Sequence, residues 1–160
     1  MTRNLRTKNM MVSKEQILSI LQQVKDPEIP TTSIVELGIV DSILIDEEKI
    51  SIGIIPTFAG CPAVDYMKQD ILTELQKNGI LNAEITVLFS KMWTSDLVSE
   101  SGKRNIEKHG LAFQEHVDSV SCPVCHSSKT ILKSPFGPTL CRSVYKCLTC
   151  HETFEAFKQI

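Results

Sequence analysis

In the stretch Ile39-Val40-Asp41-Ser42-Ile43-Leu44-Ile45-Asp46-Glu47-Glu48-Lys49-Ile50-Ser51-Ile52-Gly53-Ile54-Ile55, two runs rich in isoleucine and valine flank four charged residues. Each run alternates with period two, which places its apolar side chains on one face of an extended strand, and Asp46 to Lys49 supplies the polar turn between them. The stretch predicts a β-hairpin, with strands at 39–45 and 50–55.

Upstream, Ser13 and Gln16 stand three residues apart as a capping box, and Ile17, Leu18, Ile20, Leu21 and Val24 form a helical stripe. A helix is expected from about Lys14 to Lys25. Asp26-Pro27 stops it, and Glu28-Ile29-Pro30 keeps the chain extended, because proline disfavours helical geometry in the residue before it. Downstream, Pro56 to Gly60 is a turn signal leading into Cys61-Pro62. Val64, Met67, Ile71 and Leu75 then recur at helical spacing until Asn78-Gly79, predicting a second helix over about 62–77. Glu84 to Phe89 reads as a third strand, an irregular segment surrounds Trp93, and a short helix is expected near 100–109, closed by Gly110. The simplest arrangement for this order is α+β, a small antiparallel sheet with helices packed on one face.

The last quarter of the chain has a different character. Cys122-Pro123-Val124-Cys125 and Cys147-Leu148-Thr149-Cys150 are two C-x-x-C pairs separated by 21 residues. Each is a tight turn aiming two sulfurs at one point, and together they supply the four thiolates that a closed tetrahedral zinc site accepts. Disulfides fit a reducing cytoplasm poorly, and a redox C-x-x-C needs only one pair. An iron–sulfur cluster uses the same ligand set and stays as the alternative. His126 and His151 follow the knuckle cysteines and are expected outside the ligand shell. A unit of about forty residues buries too little apolar surface to fold alone, so the Zn2+ is read as structural. Cys141 is left over, either a small buried hydrophobe or a minor candidate for a labile metal. The expected layout is a disordered leader over residues 1–12, with an internal start at Met10 or Met11, then an α+β domain at 13–110, a linker at 111–121 and the four-cysteine zinc β-ribbon at 122–160.

Composition is that of an ordinary soluble globular chain, 42% hydrophobic and 22% charged. No apolar run approaches a membrane span or a signal-peptide core, so a cytoplasmic protein without a membrane partner is expected. Residues 1–118 hold 12 Lys/Arg against 17 Asp/Glu, and residues 119–160 hold 5 against 2. That mild asymmetry falls short of the dense basic patch that nucleic acid requires.

Cys61 is the residue of most chemical interest. Placed before Pro62, it reads as the cap of the second helix, where unpaired amides and the helix dipole favour a thiolate able to bind iron or attack an electrophile. The alternative is a buried cysteine with no further role. A nucleophilic enzyme also needs a base, and His109 and His116 both lie far along the chain. Asp26 and Glu28 are candidate hard ligands or hydrogen-bond partners to Cys61.

Asp26-Pro27-Glu28-Ile29-Pro30, Leu37-Gly38-Ile39-Val40 and Pro56-Thr57-Phe58-Ala59-Gly60-Cys61-Pro62-Ala63 resemble the domain shared by iron–sulfur assembly proteins such as SufT. Trp93-Thr94-Ser95-Asp96, Gly102-Lys103, His109-Gly110-Leu111-Ala112, Phe136-Gly137-Pro138-Thr139-Leu140-Cys141 and Phe154-Glu155-Ala156-Phe157-Lys158 narrow the likeness to the PaaD (PaaJ) family. The resemblance covers residues 13–160. Phe113-Gln114, Lys91-Met92 and Leu97 depart from the family pattern near the linker and the tryptophan. The resemblance implies a place in the phenylacetyl-CoA epoxidase system of phenylacetate catabolism. There the oxygenase is a separate di-iron enzyme, so a non-enzymatic accessory is expected here, one that carries iron or a labile iron–sulfur cluster at Cys61. The expected partners are epoxidase components, including the iron–sulfur reductase subunit, or a second copy of the chain in a homodimer that shares a cluster. A scaffold or regulatory subunit is the rival reading, and a thiol-dependent enzyme a weaker one.

Overall fold

A computed structural model describes residues 12–46, 49–114 and 120–158. The expected leader up to Met11 lies outside the described residues, as do Glu47 and Glu48 of the expected hairpin turn and residues 115–119 of the expected linker, His116 among them. Val12 packs against the core.

Helix α1 spans Lys14–Leu21 and opens with the expected capping box: Gln16 N donates to Ser13 Oγ and Ser13 N to Gln16 Oε1. It ends four residues earlier than periodicity predicts. Val24 is buried as expected, but its carbonyl accepts from Ile34 N at 3.0 Å and Asp26 N donates to Thr32 O at 3.0 Å. Pairing with the segment at 32–34 thus takes up the backbone that a longer helix would use.

Strands β1 (Val40–Ile45) and β2 (Ile50–Ile54) form the predicted antiparallel hairpin. Helix α2 (Ala63–Lys77) buries Ala63, Met67, Ile71 and Leu75 and leads to β3 (Ala83–Val87), shifted slightly toward the N-terminus of its expected span. The order is β1-β2-β3, and β3 runs parallel to β2, so the sheet is mixed rather than wholly antiparallel. The physical reason is α2: a helix of 15 residues carries the chain back along the length of the sheet, so the next strand starts from the same end as β2. A 3₁₀ turn at Ser95–Leu97 precedes α3 (Glu100–Lys108), whose first turn is capped by Ser99 Oγ accepting from Gly102 N.

The Trp93 segment is fastened over the start of β1. Trp93 Nε1 donates to Leu37 O at 2.7 Å. Gly38 adopts φ +68°, and a Cβ there would collide with the Leu97 backbone. Glu36 binds the other side: its carboxylate accepts from Ser33 N and from Asn105 Nδ2 of α3.

The C-terminal unit is a four-stranded sheet in the order β4-β7-β6-β5, built from β5 (Thr130–Ser134), β6 (Arg142–Cys147) and β7 (Thr153–Phe157) with β4 (Ala112–Phe113) at one edge. β4 belongs to the stretch read as linker, yet it pairs in parallel with β7, Ala112 opposite Ala156 and Phe113 opposite Phe157. Phe157 is buried, stands edge-on to Trp93 with centroids 5.7 Å apart and stacks on Phe113 at 6.4 Å. Through Phe157 and Cys141 the core of the α+β body continues into the ribbon. No helix among the described residues is long and apolar enough to cross a membrane.

Candidate metal sites

The two knuckles converge. Cys122 and Cys150 sulfurs are 3.7 Å apart, Cys125 and Cys147 sulfurs 3.6 Å, and all four lie within 4.8 Å of one another. A tetrahedron with zinc–sulfur bonds of about 2.3 Å has edges of about 3.8 Å, close to the two shortest separations here, so the four sulfurs are clustered at the scale of one such ion. The backbone explains the convergence. His126 N donates to Cys122 O, Cys147 N donates to Glu152 O, and His126 and His151 take the left-handed conformation at φ 58° and 65°, turning the chain away after each pair. Both histidines are exposed, with all four sulfur positions filled by cysteines. Amides of Cys150 and Thr149 point at Cys147 Sγ and hold its pKa down to about 6, the state a metal ligand requires.

The second site lies where body and ribbon meet. A cleft of about 250 Å³ is walled on one side by Thr57, Phe58, Cys61 and Pro62 of the β2–α2 loop. Gly137, Pro138, Thr139, Leu140 and Cys141 of the β5–β6 loop form the other wall, and Glu28 reaches in from the α1–β1 connection. Cys61 and Cys141, 80 residues apart in sequence, therefore face the same space. Cys141 is 8% exposed; its sulfur lies 3.4 Å from Glu28 Oε2 and 3.2 Å from Thr139 Oγ1. Arg142 pins this seam: Nη2 donates to Glu28 O at 2.6 Å while Nη1 binds Glu155 Oε2 at 3.0 Å.

Two expectations at Cys61 are corrected by this geometry. The residue capping α2 is Pro62, with no side-chain cap, so Cys61 stands one position further out; its carbonyl still accepts from Val64 N at 3.2 Å. Nor is the thiol acidic. Burial pushes its pKa up, the Ala63 amide offsets this only in part, and the carboxylates of Glu28 and Asp26 add to the rise. Burial likewise pushes Cys141 up to about 11. Asp26 does not line the cleft. Its Oδ1 accepts from the amides of Glu28 and Ile29 at 2.8 and 2.9 Å, a turn that places Glu28, and burial raises its pKa. No histidine is among the cleft's lining residues; His109 lies at the end of α3 beside a different depression.

The sequence pattern singles out Cys61 and Glu28. It keeps Cys141 only as a minor metal candidate and gives no role to Gly137–Leu140 or Arg142, because nothing local to the β5–β6 loop shows that it folds back over the body.

Residues 14–85 match the family described as iron–sulfur cluster assembly protein, and residues 108–158 match the PaaD zinc beta ribbon domain. The chain is 32% identical to an Escherichia coli (strain K12) protein provisionally named as one of the subunits of 1,2-phenylacetyl-CoA epoxidase, over 91% of this chain and 92% of that one. It is 27% identical to a Porphyromonas gingivalis protein named Fe-S protein maturation auxiliary factor, over 55% of this chain and 85% of that one. Among solved structures, a Bacillus anthracis domain of unknown function, DUF59, superposes with a TM-score of 0.54 at 26% identity, covering 57% of this chain and 89% of that one. An iron–sulfur assembly domain joined to this ribbon, together with the near full-length match to the Escherichia coli protein, places the chain in the PaaD family.

Proposed function

We propose that this protein is a cytoplasmic, non-enzymatic maturation factor that carries iron or an iron–sulfur cluster at Cys61 to the phenylacetyl-CoA epoxidase, with the iron–sulfur reductase component as recipient. The observation that supports this most is the cleft itself: a cysteine and a carboxylate share it, with no histidine among its described lining residues to act as base, so it is better equipped to hold a metal than to activate a nucleophile. The name of the Porphyromonas gingivalis relative points the same way, and that of the Escherichia coli relative supplies the link to the epoxidase. Cys122, Cys125, Cys147 and Cys150 hold a separate zinc ion whose contribution is to fold the ribbon. Cargo leaves and zinc stays, because the first site is built from few ligands and the second from four thiolates.

A scaffold role is favoured by one observation, the exposed apolar side chains Phe89 and Met92, at 72% and 81% exposure. The two readings part in cells that depend on the epoxidase for growth on phenylacetate. With Cys61→Ser, a carrier predicts a reductase component depleted in iron and sulfide and a loss of epoxidase activity. If cluster content and activity stay at wild-type levels while the variant co-purifies with the complex, the scaffold reading stands and the carrier reading falls.

A further inference from the structure

The carrier reading assigns cargo to Cys61. Resting on that reading, we infer that the cargo site is completed within one chain by the ribbon: Cys141 and Glu28 join Cys61 around a single thiophilic divalent ion, such as iron(II).

Three observations converge. Cys61, Cys141 and Glu28 line one cleft, although they come from three separate parts of the chain; Cys141 and Glu28 already touch, whereas the Cys61 side chain has to swing toward them as the ion binds. Cys141 is buried, yet its sulfur faces into that space, and a carboxylate oxygen stands 3.4 Å from it. The rest of the wall, Phe58, Pro62, Pro138 and Leu140, is apolar and supplies no competing side-chain ligand. Two thiolates and a carboxylate suit a borderline-soft divalent ion, and three protein ligands leave a fourth position for a donor from the recipient. A two-iron cluster normally takes four protein ligands, more than this cleft offers. Charge also balances. When the ion binds, two metal–sulfur bonds form and the two thiol protons pass to solvent, so the ion's two charges replace those of the departing protons. Arg142, bound to the Glu28 carbonyl, fixes the backbone that carries this carboxylate.

The test uses the full chain with zinc already in the ribbon, and cobalt(II) as the probe under anaerobic conditions. One cobalt per chain is expected beyond the zinc, with thiolate-to-cobalt charge-transfer absorption. Cys61→Ser and Cys141→Ser should each weaken binding at least about tenfold and remove roughly half of that absorption. Zinc content and Trp93 fluorescence verify that each variant is folded. If a variant does not fold, cobalt-edge X-ray absorption of the wild-type protein decides alone, since zinc is silent at that edge: two sulfur neighbours are expected at one cobalt per chain. Wild-type binding by Cys141→Ser, one sulfur neighbour or none, half a cobalt per chain, or no uptake beyond zinc would each overturn the inference. Cys141→Ser unaffected while Cys61→Ser loses cobalt leaves the carrier reading intact. Cobalt uptake indifferent to Cys61→Ser removes the Cys61 site itself.

Discussion

Phe157→Ala tests whether ribbon and body are one cooperative unit. Phe157 is 2% exposed and contacts Trp93 of the body and Phe113 of β4. Truncating a fully buried phenylalanine costs about 3–5 kcal/mol, of which the aromatic pairs account for about 1. A chain of this size shifts its melting temperature by about 2–4 °C per kcal/mol, so a fall of roughly 6–20 °C is expected. Against a mid-range stability of about 10 kcal/mol the variant keeps a folded majority at room temperature. Trp93 is the one tryptophan in the chain, so its emission reads the seam directly. Thermal unfolding followed by Trp93 fluorescence and by far-ultraviolet circular dichroism should give coincident transitions in the wild type. In the variant the tryptophan signal should shift to longer wavelength. Leu81→Ala, at a residue 80% exposed, should stay within about 0.5 kcal/mol of wild type. A Phe157→Ala loss below about 1 kcal/mol, with unaltered Trp93 emission, would refute the continuous core.

Other consequences are open to measurement. Cys147→Ser should abolish stoichiometric zinc and raise hydrogen exchange most in the knuckles and β5, less in β7, which the body core holds through Phe157; unchanged protection throughout would count against a folding role for the metal. Asp26→Ala leaves the Glu28 and Ile29 amides without their acceptor and should lower stability by about 1–3 kcal/mol in urea titration, with Asp26→Asn recovering most of it. Because burial and two carboxylates raise the Cys61 pKa, its alkylation rate should reach half-maximum at a pH above that of a free thiol, and Glu28→Gln should move the midpoint down; rapid reaction at neutral pH would contradict the geometry. Gly38→Ala should be destabilising by more than about 1 kcal/mol in the same titration, since both its φ and the Leu97 backbone oppose a Cβ.

Much of this is legible in the sequence because it is local. The capping box of Ser13 and Gln16, the alternation on either side of Asp46–Lys49, the stripe on α2 and the two C-x-x-C pairs each declare themselves within a few residues, and each is found in place. What the pattern misjudges depends on distant partners. Val24 and Lys25 carry the periodicity of a helix, but the chain at 32–34 claims their backbone. Ala112–Phe113 look like linker because a two-residue strand has no period to detect, and only β7 makes them a strand. At Cys61 the neighbouring helix is a short-range influence that favours ionisation, whereas the opposing burial and carboxylates come from Glu28 and the surrounding fold. Cys141 is legible only as a minor candidate, without its surroundings. Its partners Glu28 and Cys61 are 113 and 80 residues away, a separation over which no spacing rule operates.

Strand β6 begins immediately after Cys141 and ends on Cys147, so one extended segment of about 20 Å runs from the cleft to the four-cysteine cluster. Its two ends cannot be treated as separate. Holding the far end in a rigid knuckle removes conformational freedom that the near end would otherwise have to surrender when it closes over an occupant. The consequence concerns lifetime rather than identity: for a cargo held as proposed, a metal-bound ribbon would present a stiff lip at the cleft, and the dwell time there would be set in part at the opposite end of the strand.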